Sequence, residues 1–171
     1  MKTIYLAGGC FWGVQKFFDQ FDGVIETETG YANGGILKVD YKQVCRGSGH
    51  AETVKIVYDE TKITLTELLE YYFMIIDPLS YNRQGADEGV QYRTGIYYDD
   101  ESLFPEAKEF YDKKEAEEMA RSYEPLAVEL LPLDGFWPAE EHHQKYLDKN
   151  PGGYCHIPRR MMQLQASKEG K

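Results

Sequence analysis

Apolar residues recur along this chain at two spacings, one typical of strands and one typical of helices. Alternating or short apolar runs predict strands at residues 3–8, 24–30, 52–58, 92–98 and 126–131. Apolar residues three or four positions apart predict helices at residues 11–21, 65–76, 103–121 and 138–149. The third of these helices is rich in charged residues, so most of its surface is expected to face solvent.

Residues at the ends of these segments support the predicted boundaries. Thr64 and Glu67 have the spacing of a capping box, and the pair Asp77-Pro78 ends the helix that they begin. Pro138 suits the first turn of the last helix. Residues 150–153 (Asn-Pro-Gly-Gly) end that helix and begin a tail that is predicted to be flexible.

The order of the elements predicts an α/β (α+β) fold. Strands and helices follow one another along the chain, with long loops at residues 31 to about 50 and 79–91. This order is typical of a two-layer α/β sandwich with a mixed sheet. The chain has 171 residues, which suits a single domain. We expect that domain over residues 1–171, with its core at about 3–156 and a mobile C-terminal tail at 157–171.

Charge and hydropathy exclude several classes of partner. The net charge is −10, which argues against nucleic acid and anionic membranes, since both bind basic surfaces. No apolar run approaches the ~20 residues that span a bilayer. Residues 1–5 (Met-Lys-Thr-Ile-Tyr) show no signal-peptide pattern, so a cytoplasmic location is expected.

Residues 8–13 (Gly-Gly-Cys-Phe-Trp-Gly) contain the strongest candidate for chemistry. Cys10 lies between a predicted strand and a predicted helix, at or just before the helix N-terminus. Unpaired N–H groups and the helix dipole favour a negative charge there. We therefore expect the thiol pKa to fall from the ~8.5 of a free cysteine into the range of about 3.5–7.5 seen for activated cysteines. A buried, unreactive cysteine is the structural alternative.

Other residues are candidates only in combination. Phe11 and Trp12 can form an apolar wall beside Cys10, or they can be ordinary core residues. Glu52, if buried, would gain a raised pKa and become a proton donor, although a solvated glutamate is more common at a strand start. The phenols of Tyr41 and Tyr92 can donate hydrogen bonds, although each taken alone is more often structural.

The remaining cysteines and histidines do not suggest a metal site. The chain contains three cysteines and four histidines, without a CxxC pair or zinc-ligand spacing. Cys155 lies in a glycine-rich tail, in residues 152–156 (Gly-Gly-Tyr-Cys-His), and a mobile thiol of this kind can act as a resolving cysteine, although it can also be incidental. Cys45 is expected to be structural. His142 and His143 fall on a predicted helix, and neither is assigned a role.

The ordered set of motifs resembles the A-class peptide methionine sulfoxide reductases over roughly residues 3–156, nearly the whole domain. The combination is far more specific than the cysteine motif alone. In chain order, the motifs that follow residues 8–13 are Gly30-Tyr31-Ala32-Asn33-Gly34, Tyr41, Gly49-His50-Ala51-Glu52, Asp77-Pro78, Arg83-Gln84-Gly85, Gln91-Tyr92-Arg93 and Tyr154-Cys155.

The resemblance implies a role for each matching residue. Cys10 would be the nucleophile, and Cys155 would be the resolving cysteine. The polar groups around the sulfoxide oxygen would be Glu52, Tyr41 and Tyr92. The substrate methyl group would lie against Phe11 and Trp12, with Asp87 as a supporting polar group. Many family members carry two late cysteines, whereas this chain has one, so a simple Cys10–Cys155 disulfide is expected without a second, relayed one.

The resemblance also implies an activity and partners. The enzyme would reduce the S diastereomer of methionine sulfoxide, free or in oxidised proteins and peptides, to methionine. It would act as a monomer without metal or organic cofactor, and thioredoxin or dithiothreitol would be the external reductant. The alternatives are a thiol peroxidase or redox sensor, a non-catalytic module that binds oxidised methionine, and a zinc-binding protein. The family also includes fusions to a B-class reductase domain, for which the charged residues from Arg159 onward could be a shortened linker.

Overall fold

One six-stranded sheet and the helices packed against it form the core of the molecule. The computed structural model describes residues 1–35 and 38–164. The strands are β1 (Lys2–Gly8), β2 (Val24–Ala32), β3 (Ala51–Tyr58), β4 (Arg83–Gln84), β5 (Asp87–Glu88), β6 (Thr94–Tyr98), β7 (Glu129–Pro132) and β8 (Phe136–Pro138). The α-helices are α1 (Phe11–Asp19), α2 (Tyr41–Cys45), α3 (Leu65–Met74), α4 (Phe104–Ser122) and α5 (Tyr146–Lys149). Short 3₁₀ turns lie at Val90–Tyr92, Glu101–Leu103, Glu141–His143 and Arg159–Gln163.

The large sheet is mixed, as predicted. Its strand order is β7-β6-β1-β3-β2-β8, and β4 and β5 form a separate hairpin. Strands β6 and β7 pair in parallel, and the other pairs in the large sheet are antiparallel. A parallel pair needs a long crossover connection, and α4 supplies it.

The two faces of the sheet are packed differently. Side chains alternate between faces along a strand, so Val54 and Ile56 of β3 lie on the face that carries the main core. Helix α1 covers this face with its buried Phe11, Val14 and Phe17. The opposite face carries a smaller cluster, whose buried residues are Tyr5, Ala7, Ala32, Ala51 and Tyr97. The predicted two-layer α/β architecture is therefore confirmed.

The predicted capping box at the start of α3 is present. The side chain of Thr64 accepts a hydrogen bond from the backbone N–H of Glu67 at 3.0 Å, and Glu67 Oε1 accepts one from the backbone N–H of Thr64 at 3.3 Å. The two bonds satisfy N–H groups that the first helical turn leaves unpaired. The helix ends at Met74, before the Asp77-Pro78 pair.

The two predicted loops contain short elements that the apolar pattern did not show. The region 31–50 includes the end of β2 and the one-turn helix α2. A second capping box begins α2, in which Asp40 and Gln43 bond each other's backbone N–H groups at 2.9 Å. The region 79–91 contains β4 and β5. These elements are too short for a hydrophobic period to develop, so only local polar signals mark them.

The prediction of a single helix over 138–149 is wrong. Phe136–Pro138 is an edge strand, a 3₁₀ turn follows, and Lys145 takes a left-handed backbone (φ 54°) before α5. Tertiary hydrogen bonds replace the helical ones. The Gln144 side chain bonds both the N–H and the C=O of Thr29 at 2.9 Å, and the Lys145 N–H donates to Gln15 Oε1 at 2.7 Å.

The described part of the C-terminal tail packs against the domain. Ile157 is buried, and the carbonyl of Met161 accepts a hydrogen bond from Gln20 Nε2 of the α1 C-cap at 2.8 Å. The end of the predicted tail and linker, residues 165–171, lies outside the described residues, and the predicted mobility of the tail stays a prediction. Within residues 1–35 and 38–164, no helix has the length and apolar character needed to cross a membrane.

A buried phenol links α3 to the centre of the sheet and gives a test of this packing. Tyr72 is fully buried, and its hydroxyl donates to the Ala7 carbonyl at 2.5 Å and accepts from the Gly95 N–H at 3.0 Å. We expect Tyr72→Phe to lower the free energy of unfolding by about 1–3 kcal/mol, because both backbone groups lose this partner in the core. Urea denaturation measures the change, with the exposed Tyr123→Phe as control. Equal stability of the two variants would contradict this bridging role.

Candidate active site

A small cavity forms where β1 passes into α1. Its volume is about 120 Å³. It is lined by Cys10, Phe11, Trp12, Tyr41, Glu52, Asp87, Tyr92 and Tyr154. All the residues that were predicted for the site line this cavity, except Cys155. Those that line it come from five separate parts of the chain.

The turn before the helix positions the thiol. Gly9 has a φ of +89°, and a Cβ there would lie 2.9 Å from Gln84 Cβ, so only glycine fits without strain. Cys10 follows as the N-cap residue of α1, and its side chain makes no capping bond. The thiol is therefore available to the cavity rather than to the helix.

Glu52 is the acid of the site. It lies in β3 two residues before Val54 and so faces the same α1-covered side of the sheet. It is 2% exposed, and its Oε1 accepts a hydrogen bond from the backbone N–H of Phe11 at 3.2 Å. Burial and the nearby charge of Asp87 raise the pKa of Glu52 to about 8, although the Phe11 N–H opposes this. At neutral pH the carboxyl group is therefore mostly protonated.

Cys10 departs from the expectation of a low pKa. The side chain is 8% exposed, and its burial, followed by the negative charge of Glu52, raises the pKa of the thiol above its ordinary value. The nearby backbone N–H of Trp12 opposes this rise. A helix terminus contributes only about 0.3–1 kcal/mol, whereas full burial can shift a pKa by up to about 3–5 units. Desolvation therefore prevails over the helix N-terminus, and the resting thiol is neutral.

Two phenols complete the polar side of the cavity. Tyr41 begins α2 and Tyr92 ends a 3₁₀ turn, and both are half-buried. Burial raises the pKa of both hydroxyls, and the charge of Glu52 contributes to each rise. The backbone N–H of Tyr41 donates to Glu140 Oε2 at 3.2 Å, which anchors the start of α2. Both phenols therefore remain hydrogen-bond donors throughout the neutral pH range.

Asp87 and Tyr154 close another side of the cavity. The Tyr154 hydroxyl donates to Asp87 Oδ2 at 2.9 Å. Burial and this carboxylate raise the pKa of Tyr154 to about 12. Tyr154 is 47% exposed, so it stands at the rim of the cavity. Sequence reasoning assigned no role to Tyr154, although its place directly before Cys155 in a matching motif was an available signal.

The apolar wall is built from Phe11 and Trp12. Phe11 is buried and Trp12 is half-buried. The indole of Trp12 stacks on Tyr146 with a centroid distance of 3.7 Å and an interplanar angle of 11°. Its N–H donates to His143 Nδ1 at 3.0 Å. His143 was missed from the sequence because the segment that carries it was predicted as a regular helix.

Cys155 lies outside the cavity but against the first turns of α1. Its half-buried thiol bonds the Ile157 carbonyl at 3.4 Å, and burial raises its pKa. The sulfur is 2.9 Å from the position that a Cβ of Gly13 would occupy, so the missing side chain of Gly13 makes room for it. Cys10, Cys45 and Cys155 are all free thiols. Cys45 is exposed at the end of α2, and its structural role stays a prediction.

The described part of the chain holds no cluster of three or more His, Cys, Asp or Glu side chains suited to a metal ion. Beside the Asp87 carboxylate, the polar groups of the cavity are a neutral carboxyl, a neutral thiol and phenols. Together they can donate protons or hydrogen bonds to an oxygen atom while a sulfur atom attacks its neighbour.

Comparisons with known proteins agree with the resemblance of the motifs. The family model described as peptide methionine sulfoxide reductase matches residues 2–171. A peptide methionine sulfoxide reductase MsrA from Lachnoclostridium phytofermentans is 52% identical over 158 residues, which are 91% of this chain and 92% of that protein. The corresponding protein of Clostridium acetobutylicum is 50% identical over 163 residues, with coverage of 95% and 98%.

Solved structures are similar as well. Reduced Mxr1 from Saccharomyces cerevisiae has a TM-score of 0.83 at 36% identity, over 92% of this chain and 91% of that one. Methionine sulfoxide reductase A of Corynebacterium diphtheriae has a TM-score of 0.84 at 36% identity, with coverage of 92% and 83%. A structure of Mxr1 in complex with Trx2 shares the fold, with a TM-score of 0.57 at 23% identity over 85% of this chain and 84% of that one.

The raised pKa of Glu52 can be measured directly. In ¹³C NMR spectra of the labelled protein, we expect one glutamate carboxyl to titrate near pH 8 and to be missing from Glu52→Gln. Because the folded pKa lies above the ordinary value of 4.5, the stabilisation linked to this proton is complete below about pH 4.5 and is lost as pH rises to about 8. The stability of the wild type relative to Glu52→Gln should therefore fall across that range. A titration of Glu52 near pH 4.5 would contradict the burial argument.

Proposed function

The chain belongs to the peptide methionine sulfoxide reductase family and is an enzyme that reduces methionine sulfoxide to methionine, and we propose that the cavity at Cys10 is where it does so. The observation that carries this proposal is a buried carboxyl with a pKa of about 8, Glu52, in the same small cavity as the thiol. An acid that remains protonated at neutral pH and a nucleophile side by side are what sulfoxide reduction needs.

The first proposed step makes the sulfoxide sulfur electrophilic. The sulfoxide oxygen accepts a hydrogen bond from the protonated carboxyl of Glu52 and from the hydroxyls of Tyr41 and Tyr92. These donors stabilise the negative charge on oxygen in a cavity that excludes most water. The S-methyl group lies against Phe11 and Trp12, and Asp87 with Tyr154 limits the cavity on another side. This placement gives the sulfur one face toward Cys10.

In the second step, the Cys10 sulfur attacks the sulfoxide sulfur. Glu52 gives its proton to the oxygen, and the carboxylate that results accepts the thiol proton, so Glu52 ends neutral. The oxygen then transfers to Cys10, and methionine leaves. The substrate sulfur gains two electrons, and Cys10 becomes a sulfenic acid. Because the two protons are exchanged between neighbouring groups, a neutral resting thiol is compatible with the reaction.

The third step restores the nucleophile. Cys155 attacks the sulfenic sulfur, water leaves, and a Cys10–Cys155 disulfide forms. The position of Cys155 against Gly13, in the first turn of the helix that follows Cys10, supports this pairing. A dithiol then supplies two electrons by thiol–disulfide exchange. Thioredoxin is the proposed dithiol, which the complex of Mxr1 with Trx2 supports, and dithiothreitol can replace it in vitro.

We further propose the remaining properties that were expected from the sequence and from the family resemblance. The substrate is the S diastereomer, free or within oxidised proteins and peptides, and the enzyme acts as a cytoplasmic monomer without metal or organic cofactor. The net charge of −10 supports the absence of nucleic-acid and membrane partners. A thiol peroxidase, a redox sensor and a non-catalytic binding module are not favoured, because the family consists of sulfoxide-reducing enzymes.

The role of Glu52 as proton donor gives a first test of the mechanism. In a single turnover, Glu52→Gln should reduce S-methionine sulfoxide about 10²–10⁴-fold more slowly than the wild type, because a positioned acid is removed. The wild-type rate should fall as pH rises through about 8, where the carboxyl loses its proton, and the variant should lack this dependence. Glu26→Gln, at an exposed position of β2, is the control. An unchanged rate in Glu52→Gln would leave Glu52 a structural residue.

The resolving role of Cys155 gives a second test. Cys155→Ser should release about one methionine per enzyme from S-methionine sulfoxide and then stop when thioredoxin is the reductant, because no disulfide can form. Cys45→Ser, which removes the exposed thiol of α2, should turn over normally with thioredoxin. Released methionine is measured against time for both variants. Sustained thioredoxin-dependent turnover by Cys155→Ser would assign the resolving step to another thiol.

A further inference from the structure

Two contacts hold the indole ring of Trp12, and both come from the segment between β8 and the tail. The ring stacks on Tyr146, which limits its tilt, with the planes 11° apart. The indole N–H donates to His143 Nδ1 at 3.0 Å, which limits rotation of the ring within its plane. Trp12 is half-buried and next to solvent, so without these contacts the ring could adopt several rotamers.

His143 lies behind the cavity and contacts more than one of its walls. It is 3% exposed. Its ring centroid lies 4.8 Å from that of Tyr41 and 5.4 Å from that of Phe11. It does not line the cavity, so it acts on a substrate only through the side chains that do. A shift of the His143 ring would therefore act on a substrate by displacing the apolar wall, Phe11 and Trp12.

The hydrogen bond to Trp12 determines the form of the imidazole. The indole nitrogen is a donor only, so His143 Nδ1 must be unprotonated and the ring proton must be on Nε2. Within the described residues, Nε2 is buried without a hydrogen-bond partner. Burial lowers the pKa of His143, which agrees with a neutral ring. A buried N–H without a partner destabilises the fold, so an apolar residue would be the better choice for stability alone. The Nδ1 acceptor is what a histidine adds at this position.

We propose that His143 is a positioning residue which, together with Tyr146, holds the indole of Trp12 at the distance that suits an S-methyl group and disfavours larger S-alkyl groups. This inference rests on the proposed function, in which the substrate methyl lies against Phe11 and Trp12. A fixed wall can discriminate against one extra methylene by about 10–200-fold, whereas a wall that can turn aside accommodates it. Selectivity therefore depends on the rigidity of the ring as well as on its identity.

The test compares two substrates that differ by one methylene, the S-sulfoxides of methionine and ethionine. The measured quantity is the ratio of their kcat/KM values with dithiothreitol as reductant. His143→Leu removes the acceptor and keeps an apolar side chain, and it should lower the methyl-to-ethyl ratio by about tenfold, within the range that one methylene contributes. His143→Asn places an amide oxygen where Nδ1 lies and should restore most of the ratio. His142→Leu, at the exposed neighbouring position, should keep the wild-type ratio.

Tyr146→Leu removes the other contact of the indole from a position that is only half-buried, so it tests the same claim without disturbing the core. It should also lower the ratio. A loss of activity that is equal for both substrates in His143→Leu and Tyr146→Leu would overturn the inference and leave the proposed function in place. Failure of a folded His143→Asn to restore the ratio would overturn it as well. If the wild type reduced neither sulfoxide, the proposed function would fail, and this inference with it.

Discussion

The burial of the Glu52 carboxyl against the first backbone N–H of α1 is the constraint on which the site depends. A charged carboxylate is costly to remove from water, so the group keeps its proton at neutral pH instead. The same hydrogen bond joins strand β3 to the start of the helix that follows Cys10. This contact therefore holds the carboxyl group beside the thiol, while burial keeps the group protonated.

Burial keeps the carboxyl group of Glu52 protonated, and it also keeps the thiol of Cys10 protonated. Both side chains are desolvated, and a negative charge on Glu52 disfavours a thiolate at Cys10. The resting site therefore carries a neutral thiol and a neutral acid. In the proposed reaction, the thiol gives up its proton only after a sulfoxide oxygen has taken the proton of Glu52 and left a carboxylate that can accept another. Under this proposal, the reactivity of Cys10 depends on an occupied cavity.

The supporting residues of the site come from the segment between β8 and the tail. Glu140 accepts hydrogen bonds from the Tyr31 hydroxyl and the Tyr41 N–H, and His143 and Tyr146 hold Trp12. A regular helix would have directed most of these side chains elsewhere. The backbone N–H groups of Ala139 and Lys145 instead donate to the Thr29 carbonyl and to Gln15 Oε1, and the left-handed residue Lys145 lets the chain change direction. The hydrogen bonds that prevent a regular helix in this segment therefore also position the side chains that support the site.

The sequence alone predicted the main strands, helices α1, α3 and α4 and the two-layer mixed architecture, because hydrophobic periods are local properties of the chain. Through motifs that resemble a known family, the sequence also predicted seven of the eight residues that line the cavity, all except Tyr154. It failed for α2 and for the segment 138–149. Helix α2 is too short for a period, and in that segment distant partners outweigh local helical propensity. It also failed for the pKa of Cys10, since the position of a thiol at a helix N-terminus is visible in the sequence, whereas the extent of its burial is not. The burial of Cys10, the proton on Glu52 and the contacts of Trp12 with His143 and Tyr146 arise only when residues from remote parts of the chain meet. The tertiary structure alone decided them.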